Sequence, residues 1–246
     1  KIQGHFKRQD ATQEELAELS KAIEAKFQKW FSDTDYLMFL QNMDKMGQLE
    51  TLTDGKQLQE MVQLTKLITE LSPSEQATKI RDAIAMAISR HKEQHREGGE
   101  MYAGHVLRVG KRAAEYAQQQ KLENPAEFIQ AAILHDILED TPTEQNELSR
   151  RFGDEVVRIV QALSHIDENE PDEEYLGRVE QGGELAILVK RFDRLENLND
   201  LANAPKEFRT QKLRELEQAL PIWQRMDPEG AVEIERIMRE MLTKEK

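Results

Sequence analysis

From Phe128 to Leu138 the chain is apolar at nearly every position, and the run then closes on charge. His135 and Asp136 are followed by Glu139, Asp140, Thr141 and Pro142. Asn124 can cap a helix here, Pro125 suits its first turn, and Glu127 stands where a capping-box acid belongs. Phe128, Ile129, Ala132, Ile133, Leu134, Ile137 and Leu138 leave that helix almost no polar face, so it belongs in a core. Pro142 pushes Thr141 out of the α region, which predicts a helix end at about Asp140. Carboxylates there meet the negative end of the helix dipole. Such a cluster calls for a cation.

The spacing narrows the kind of cation. His135 and Asp136 are adjacent, so they project about 100° apart and can hold one ion from one helix. Glu139 and Asp140 follow four residues after each and stack a second acidic pair over the first. An imidazole beside carboxylates suits Mn²⁺, Fe²⁺ or Zn²⁺ better than Ca²⁺. The alternative is a chance His-Asp pair at a polar helix end, which the apolar flanks disfavour.

Two ligands on one helix do not close a site. Asp193 is the candidate acid, mid-helix between Val189 and Asn197, with Asn197 one turn on along the same face. Its other reading is a surface aspartate paired with Arg194 or Lys190. His105, following Gly104, is the candidate second imidazole, against the commoner structural histidine. His91 and His95 have the i, i+4 spacing of helical ligands but no His-Glu-x-x-His context, and His5 and His165 carry no spacing signal.

Helical periodicity runs along the whole chain, without alternating strand runs or an internal repeat. Thr12 with Glu15 forms a capping box before Leu16, Leu19, Ile23 and Phe27, and Asp33 or Thr34 can start a second helix ending near Gly47. A third is expected from about Gly55 to Leu71. Ser72, Pro73 and Glu75 restart the chain, giving a boundary near residue 72 and a helix that ends before Gly98 and Gly99. Tyr102 to Gln120 reads as a helix. So do a short segment ending at Gly153, Asp154 to Leu163, a helix from Glu184, Lys206 to Leu220, and about Pro228 to Leu242. The acidic run from Asp167 to Gly183 reads as a solvated, mobile loop. The fold class is all-α, with an N-terminal helical region (1–71) before the domain that holds the cluster (72–246).

With 34 Lys and Arg against 47 Asp and Glu, the formal charge is -13. That argues against a chain built to wrap nucleic acid or lie on anionic membrane. No cysteine is present, which fits the cytoplasm, and no apolar run approaches the ~20 residues of a membrane span. A phosphorylated substrate would have to be met by local cations or a metal.

Leu134 to Thr141 resembles the His-Asp-x-x-Glu-Asp motif of RelA/SpoT-homologue hydrolases, a branch of the His-Asp (HD) phosphohydrolases. His91, Gln94, Arg96, Gly99, Glu100, Tyr102 and His105 fall at that family's spacing. Lys190 to Asn197 is similar to its Lys-x-x-Asp-Arg-Leu-His-Asn run, and Arg151 to Val157 fits the segment after the motif. The resemblance covers roughly Ala77 to the end, without the family's synthetase region. It implies an all-α HD fold with an extra helical N-terminus, one bound Mn²⁺, and release of pyrophosphate from the 3′ position of (p)ppGpp. By position it implies His105, His135, Asp136 and Asp193 as metal ligands, and Glu139 and Asp140 at the attacking water. It implies Arg96, Asn197, Tyr102 and Arg194 at the nucleotide.

Departures bear on the substrate. Glu196 replaces the usual His, Gly98 stands where Ser is common, and Asp200 stands where Thr is frequent. A carboxylate at 200 would repel a pyrophosphate. The stretch from His105 to His135 is longer than usual, and that from Asp136 to Asp193 shorter. None of these is expected to touch the metal ligands. The alternatives to alarmone hydrolysis are therefore an HD phosphohydrolase for another nucleotide, or an inactive HD-fold binding module. Oligomeric state, including a homo-oligomer, stays open.

Overall fold

The computed structural model describes residues 55–71, 74–97, 99–165, 167, 169–202 and 204–244. The expected helices after Thr12 and Asp33, together with Gly98 and His5, lie outside them. In order come α1 (Gly55–Leu71), α2 (Ser74–Arg90), α3 (Tyr102–Gln120), α4 (Pro125–Ile133), α5 (Ile137–Asp140) and α6 (Gln145–Phe152). Then follow α7 (Asp154–Leu163), α8 (Asp172–Gln181), α9 (Glu184–Leu201), α10 (Lys206–Met226) and α11 (Pro228–Lys244). Among the described residues the β pairing amounts to one isolated bridge, His95 with Met101. No helix there is long and apolar enough to cross a membrane.

The two helices nearest the cluster form the centre. α3 packs against α1, α4 and α9, while α4 also packs against α2 and α7. Phe128, Ile129, Ile133 and Leu134 are fully buried, each contributing roughly 1.5–3 kcal/mol of apolar burial. Gly110 lets α3 and α4 approach closely, because a Cβ there would lie 2.5 Å from Ile133 Cγ1. α1 shares this core through Met61, Leu64 and Ile68, although it precedes the expected boundary near residue 72.

The structure corrects four expectations. The apolar helix does not run unbroken to Asp140. It stops at Ile133, turns through Leu134, His135 and Asp136, and resumes as α5. Apolar periodicity continues across the break because Leu134 and Ile137 are both buried. Asn124 is the N-cap of α4, but its side chain makes no capping hydrogen bond. The acidic run is not a loop throughout: α8 buries Tyr175, Leu176 and Val179 while its carboxylates face water. α2 ends at Arg90, before Gly98 and Gly99 as expected, whereas α10 continues past the expected Leu220 through Pro221 to Met226. Pro221 lies on the exposed side, where water can serve the carbonyl it leaves unpaired, and Trp223 anchors the last turn inside.

Candidate metal centre and substrate cavity

The break between α4 and α5 aims the His-Asp pair. With the helix ended, the Ala132 carbonyl faces the His135 ring, and Nδ1 lies 2.9 Å from it. A carbonyl can only accept, so Nδ1 carries the proton of the neutral ring, and Nε2 is the atom that can take a metal or, without one, a second proton. Asp136 Oδ2 lies 2.8 Å from that Nε2 and accepts a short hydrogen bond from the Tyr102 hydroxyl. α3 brings His105, whose Nε2 is 3.2 Å from Asp193 Oδ1 and 4.0 Å from Asp136 Oδ2. α9 brings Asp193, with Oδ1 3.6 Å from His135 Nε2. One ligand atom from each of His105, His135, Asp136 and Asp193 thus falls within 4.8 Å of the others. The four expected ligands converge.

The donors fit a divalent cation. Both Nε2 atoms are buried and make no hydrogen bond, an arrangement that costs free energy unless something accepts their lone pairs. Burial works against a charged His135 ring, yet Asp136 and Asp193 outweigh it and push its pKa up to about 10. Burial likewise opposes ionisation of Asp193, but Lys190 and the two histidines hold its carboxyl well below the usual range. The pocket draws positive charge. The candidate ligand Asp193 is also braced: its Oδ2 accepts from Lys190 Nζ at 2.8 Å, and its Oδ1 from Asn197 Nδ2 at 2.6 Å.

A tight turn built on Gly99 (φ 83°) delivers the next residues. Arg96 N donates to Glu100 O at 2.7 Å and Tyr102 N to Gln94 O at 2.9 Å. Arg96 then donates a short hydrogen bond to Asn197 Oδ1 and lies over the Tyr102 ring. Arg96, Tyr102, Asn197 and Arg194 line one cavity of about 350 Å³, floored by apolar groups that include Leu201 and Phe208. Arg194 Nε is buried without a hydrogen-bond partner, so its guanidinium keeps donor capacity for an anion.

Glu139 and Asp140 sit at the exposed end of α5. Glu139 Oε2 accepts from the His165 backbone N at 2.8 Å, and Gln94 Nε2 donates to the Asp140 carbonyl at 2.7 Å. The Asp140 carboxyl is pushed up to about 6, first by desolvation and then by the charges of Asp136 and Glu139. A folded pKa above the ordinary 3.8 means the folded chain holds this proton more tightly than the unfolded one. Stability contributed by protonated Asp140 is therefore present below about pH 4 and lost as the pH rises through about 6. In chelator-treated protein, Asp140→Asn is expected to raise Tm by a few degrees at about pH 8 and to leave it unchanged at about pH 4. Paired thermal melts at the two pH values check this; equal shifts at both would refute it.

Other residues around the site had no role assigned from the sequence. His165 serves through its backbone, and its ring stacks on Tyr175 at 3.7 Å. His91 is not among the ligands; buried, it stacks on Tyr102 at 4.9 Å and meets Gln94 Oε1 at 2.6 Å. His95 lines the cavity. Arg108 was discoverable, being one turn after His105. Glu196 and Asp200, expected to leave the ligands untouched, meet there: Arg108 binds both, and Asp200 Oδ2 lies 3.7 Å from His105 Nδ1. Asp200 is a contact of a candidate ligand after all.

A helical core presenting a His-Asp pair, a second His and a second Asp around one point defines the HD class of metal-centre proteins. The model of the HD domain family matches residues 83–181. A guanosine-3′,5′-bis(diphosphate) 3′-pyrophosphohydrolase from Aquifex aeolicus is 33% identical over 165 residues, 65% of this chain and 21% of its own. The bifunctional (p)ppGpp synthase/hydrolase SpoT of Escherichia coli is 30% identical over 62% of this chain and 22% of its own. The chain thus spans about a fifth of these relatives. The zebrafish (Danio rerio) pyrophosphohydrolase MESH1 is 31% identical, with 54% of this chain matching 76% of that protein. The solved structure of a metazoan ortholog of SpoT shares the fold, with a TM-score of 0.57 and 21% identity over 69% of this chain and 97% of that one. The chain belongs to the HD-domain family, in the branch of RelA/SpoT homologues.

Proposed function

We propose that the chain hydrolyses guanosine 3′,5′-bis(diphosphate), releasing pyrophosphate from the 3′ position and leaving GDP. The observation that carries this reading is the four-residue ligand group within 4.8 Å, set beside an arginine-lined cavity. The activity named for the Aquifex and zebrafish relatives supports it. His105, His135, Asp136 and Asp193 would hold one Mn²⁺, in a domain (72–246) that supplies every residue of the site. A divalent ion there lowers the pKa of water and offsets phosphoryl charge.

The chain's own groups do the rest. Water oxygen adds to the 3′ phosphorus, the bond from phosphorus to O3′ breaks, and O3′ leaves with a proton. Glu139 and Asp140 take the proton that the water loses. Arg96 and Arg194 meet phosphate or stack on the base. Tyr102 and Asn197 touch the ligands Asp136 and Asp193 while facing the cavity, so nucleotide and ligand group share contacts. The reading puts the activity in the cytoplasm, a compartment that the cysteine-free sequence fits.

Asp200 on the cavity wall favours a second reading, hydrolysis of another nucleotide. The test offers Mn²⁺-loaded protein ppGpp, GDP, GTP, dNTPs and NADPH, with products resolved by chromatography. Selective conversion of ppGpp to GDP and pyrophosphate is expected. Preferential turnover of another nucleotide would install the second reading, and metal binding without turnover would leave a binding module.

A further inference from the structure

Two buried polar atoms face one another without a hydrogen bond. His105 Nδ1 and Asp200 Oδ2 are 3.7 Å apart, each buried and neither in a hydrogen bond. His105 itself is 0% exposed. The contrast with His135 is direct, because that ring's Nδ1 is met by the Ala132 carbonyl at 2.9 Å. Among the described residues no carbonyl serves His105 Nδ1 in this way, and the Asp200 carboxylate stands in its place.

That carboxylate is held from the other side. Arg108 Nη2 donates to Asp200 Oδ1 at 2.8 Å, and Arg96 Nε lies 3.3 Å from Oδ2. Arg108 is itself clamped by both oxygens of Glu100, at 2.7 and 3.1 Å, and by Glu196 Oε2 at 2.9 Å. Glu196 and Asp200, the two departures from the motif of α9, therefore close on one guanidinium. Burial opposes the charge of Asp200, but His105, Arg108 and Arg96 outweigh it and hold its carboxyl below the usual range. The expected repulsion of phosphate is offset by these cations.

We propose that Asp200, held by Arg108, is a positioning residue for His105: its carboxylate accepts a hydrogen bond from Nδ1–H and so directs the Nε2 lone pair at the ion. A closing movement of less than about 1 Å would bring the pair within ordinary N–H···O range. Partners of this kind tune ligand basicity and orientation, and removing one typically costs about 10–100-fold in metal affinity. The inference rests on the metal-centre reading above.

The experiment reads Mn²⁺ affinity from the loss of the free-ion EPR signal, in the full chain and in Asp200→Asn and Asp200→Glu. Asp200→Asn keeps shape and an acceptor oxygen but loses the charge. It is expected to bind Mn²⁺ about 10-fold or more weakly with an unchanged circular-dichroism melt, and Asp200→Glu to recover part of the loss. Binding by Asp200→Asn within twofold of the parent would overturn the inference while leaving the metal centre standing. A parent chain that binds no Mn²⁺ would overturn both. Long-range ¹H–¹⁵N spectra of the parent supply a test independent of any variant: His105 is expected as the Nδ1–H tautomer, and an Nε2–H ring would overturn the proposal.

Discussion

Asp193→Asn is expected to abolish tight Mn²⁺ binding and to lower turnover by at least about 10³-fold, since proton abstraction and charge stabilisation both depend on the ion. Asp193 is the candidate ligand with the most dependants. Its Oδ1 faces both histidines, and its Oδ2 accepts from Lys190, itself only 9% exposed. Burial works against a charged Lys190, but Asp193 outweighs it and keeps the ammonium ionised. Removing the carboxylate therefore strands a buried cation, a change that costs about 3–5 kcal/mol in other proteins. Loss of metal and loss of stability would then arrive together, and a lower Tm alone would not identify a ligand. The double variant Asp193→Asn with Lys190→Met separates them. It is expected to regain most of the lost stability, because an apolar stem replaces the stranded charge, and to remain without metal. Metal content by elemental analysis and melts of the same samples decide the matter; a double variant that binds Mn²⁺ at parental affinity would remove Asp193 from the ligand set.

What could be read from residue order, and what could not, divides along a physical line. α3 was legible to its ends, Tyr102 to Gln120, because its apolar face is regular and Lys121 then turns left-handed at φ 53°. In the candidate ligand group, the adjacency of His135 and Asp136 has a chemical meaning of its own, whereas His105 and Asp193 each had a commoner reading and joined them as a set only through the family resemblance. The break at Leu134 to Asp136 was not legible, since residues on either side of it are equally apolar and periodicity cannot register a turn buried in the core. α8 was hidden for the opposite reason: Tyr175, Leu176 and Val179 form its buried stripe, but the surrounding carboxylates dominate any local average. The Arg108 cluster joins groups about 90 residues apart, from α3 to α9. Its existence depends on how two helices pack, so reading Glu196 and Asp200 as isolated departures missed that they answer one arginine.

Glu139→Gln is expected to lower kcat by about 10²–10⁴-fold, the usual worth of a positioned acid-base group, while Mn²⁺ affinity and Tm stay near parental. The amide keeps an oxygen for the His165 N–H, so the 2.8 Å contact that holds the side chain survives. The segment behind it is tied down independently: Arg178 Nη2 donates to Ser164 O at 2.7 Å, and the Tyr175 hydroxyl donates to Leu163 O at 2.7 Å. Glu139 is an exposed residue, so substitution there leaves no cavity and no buried charge. What the amide cannot do is accept a proton from water. Asp140, its neighbour at the exposed end of α5, is the other group that could. If the two act as a unit, the double variant loses little beyond the worse single, because a pair sharing one proton is non-additive. Single-turnover rates with metal-saturated protein measure this without interference from product release. Glu139→Gln retaining more than about a tenth of the parental rate would exclude Glu139 as the base, and a loss confined to Asp140→Asn would transfer the role to Asp140.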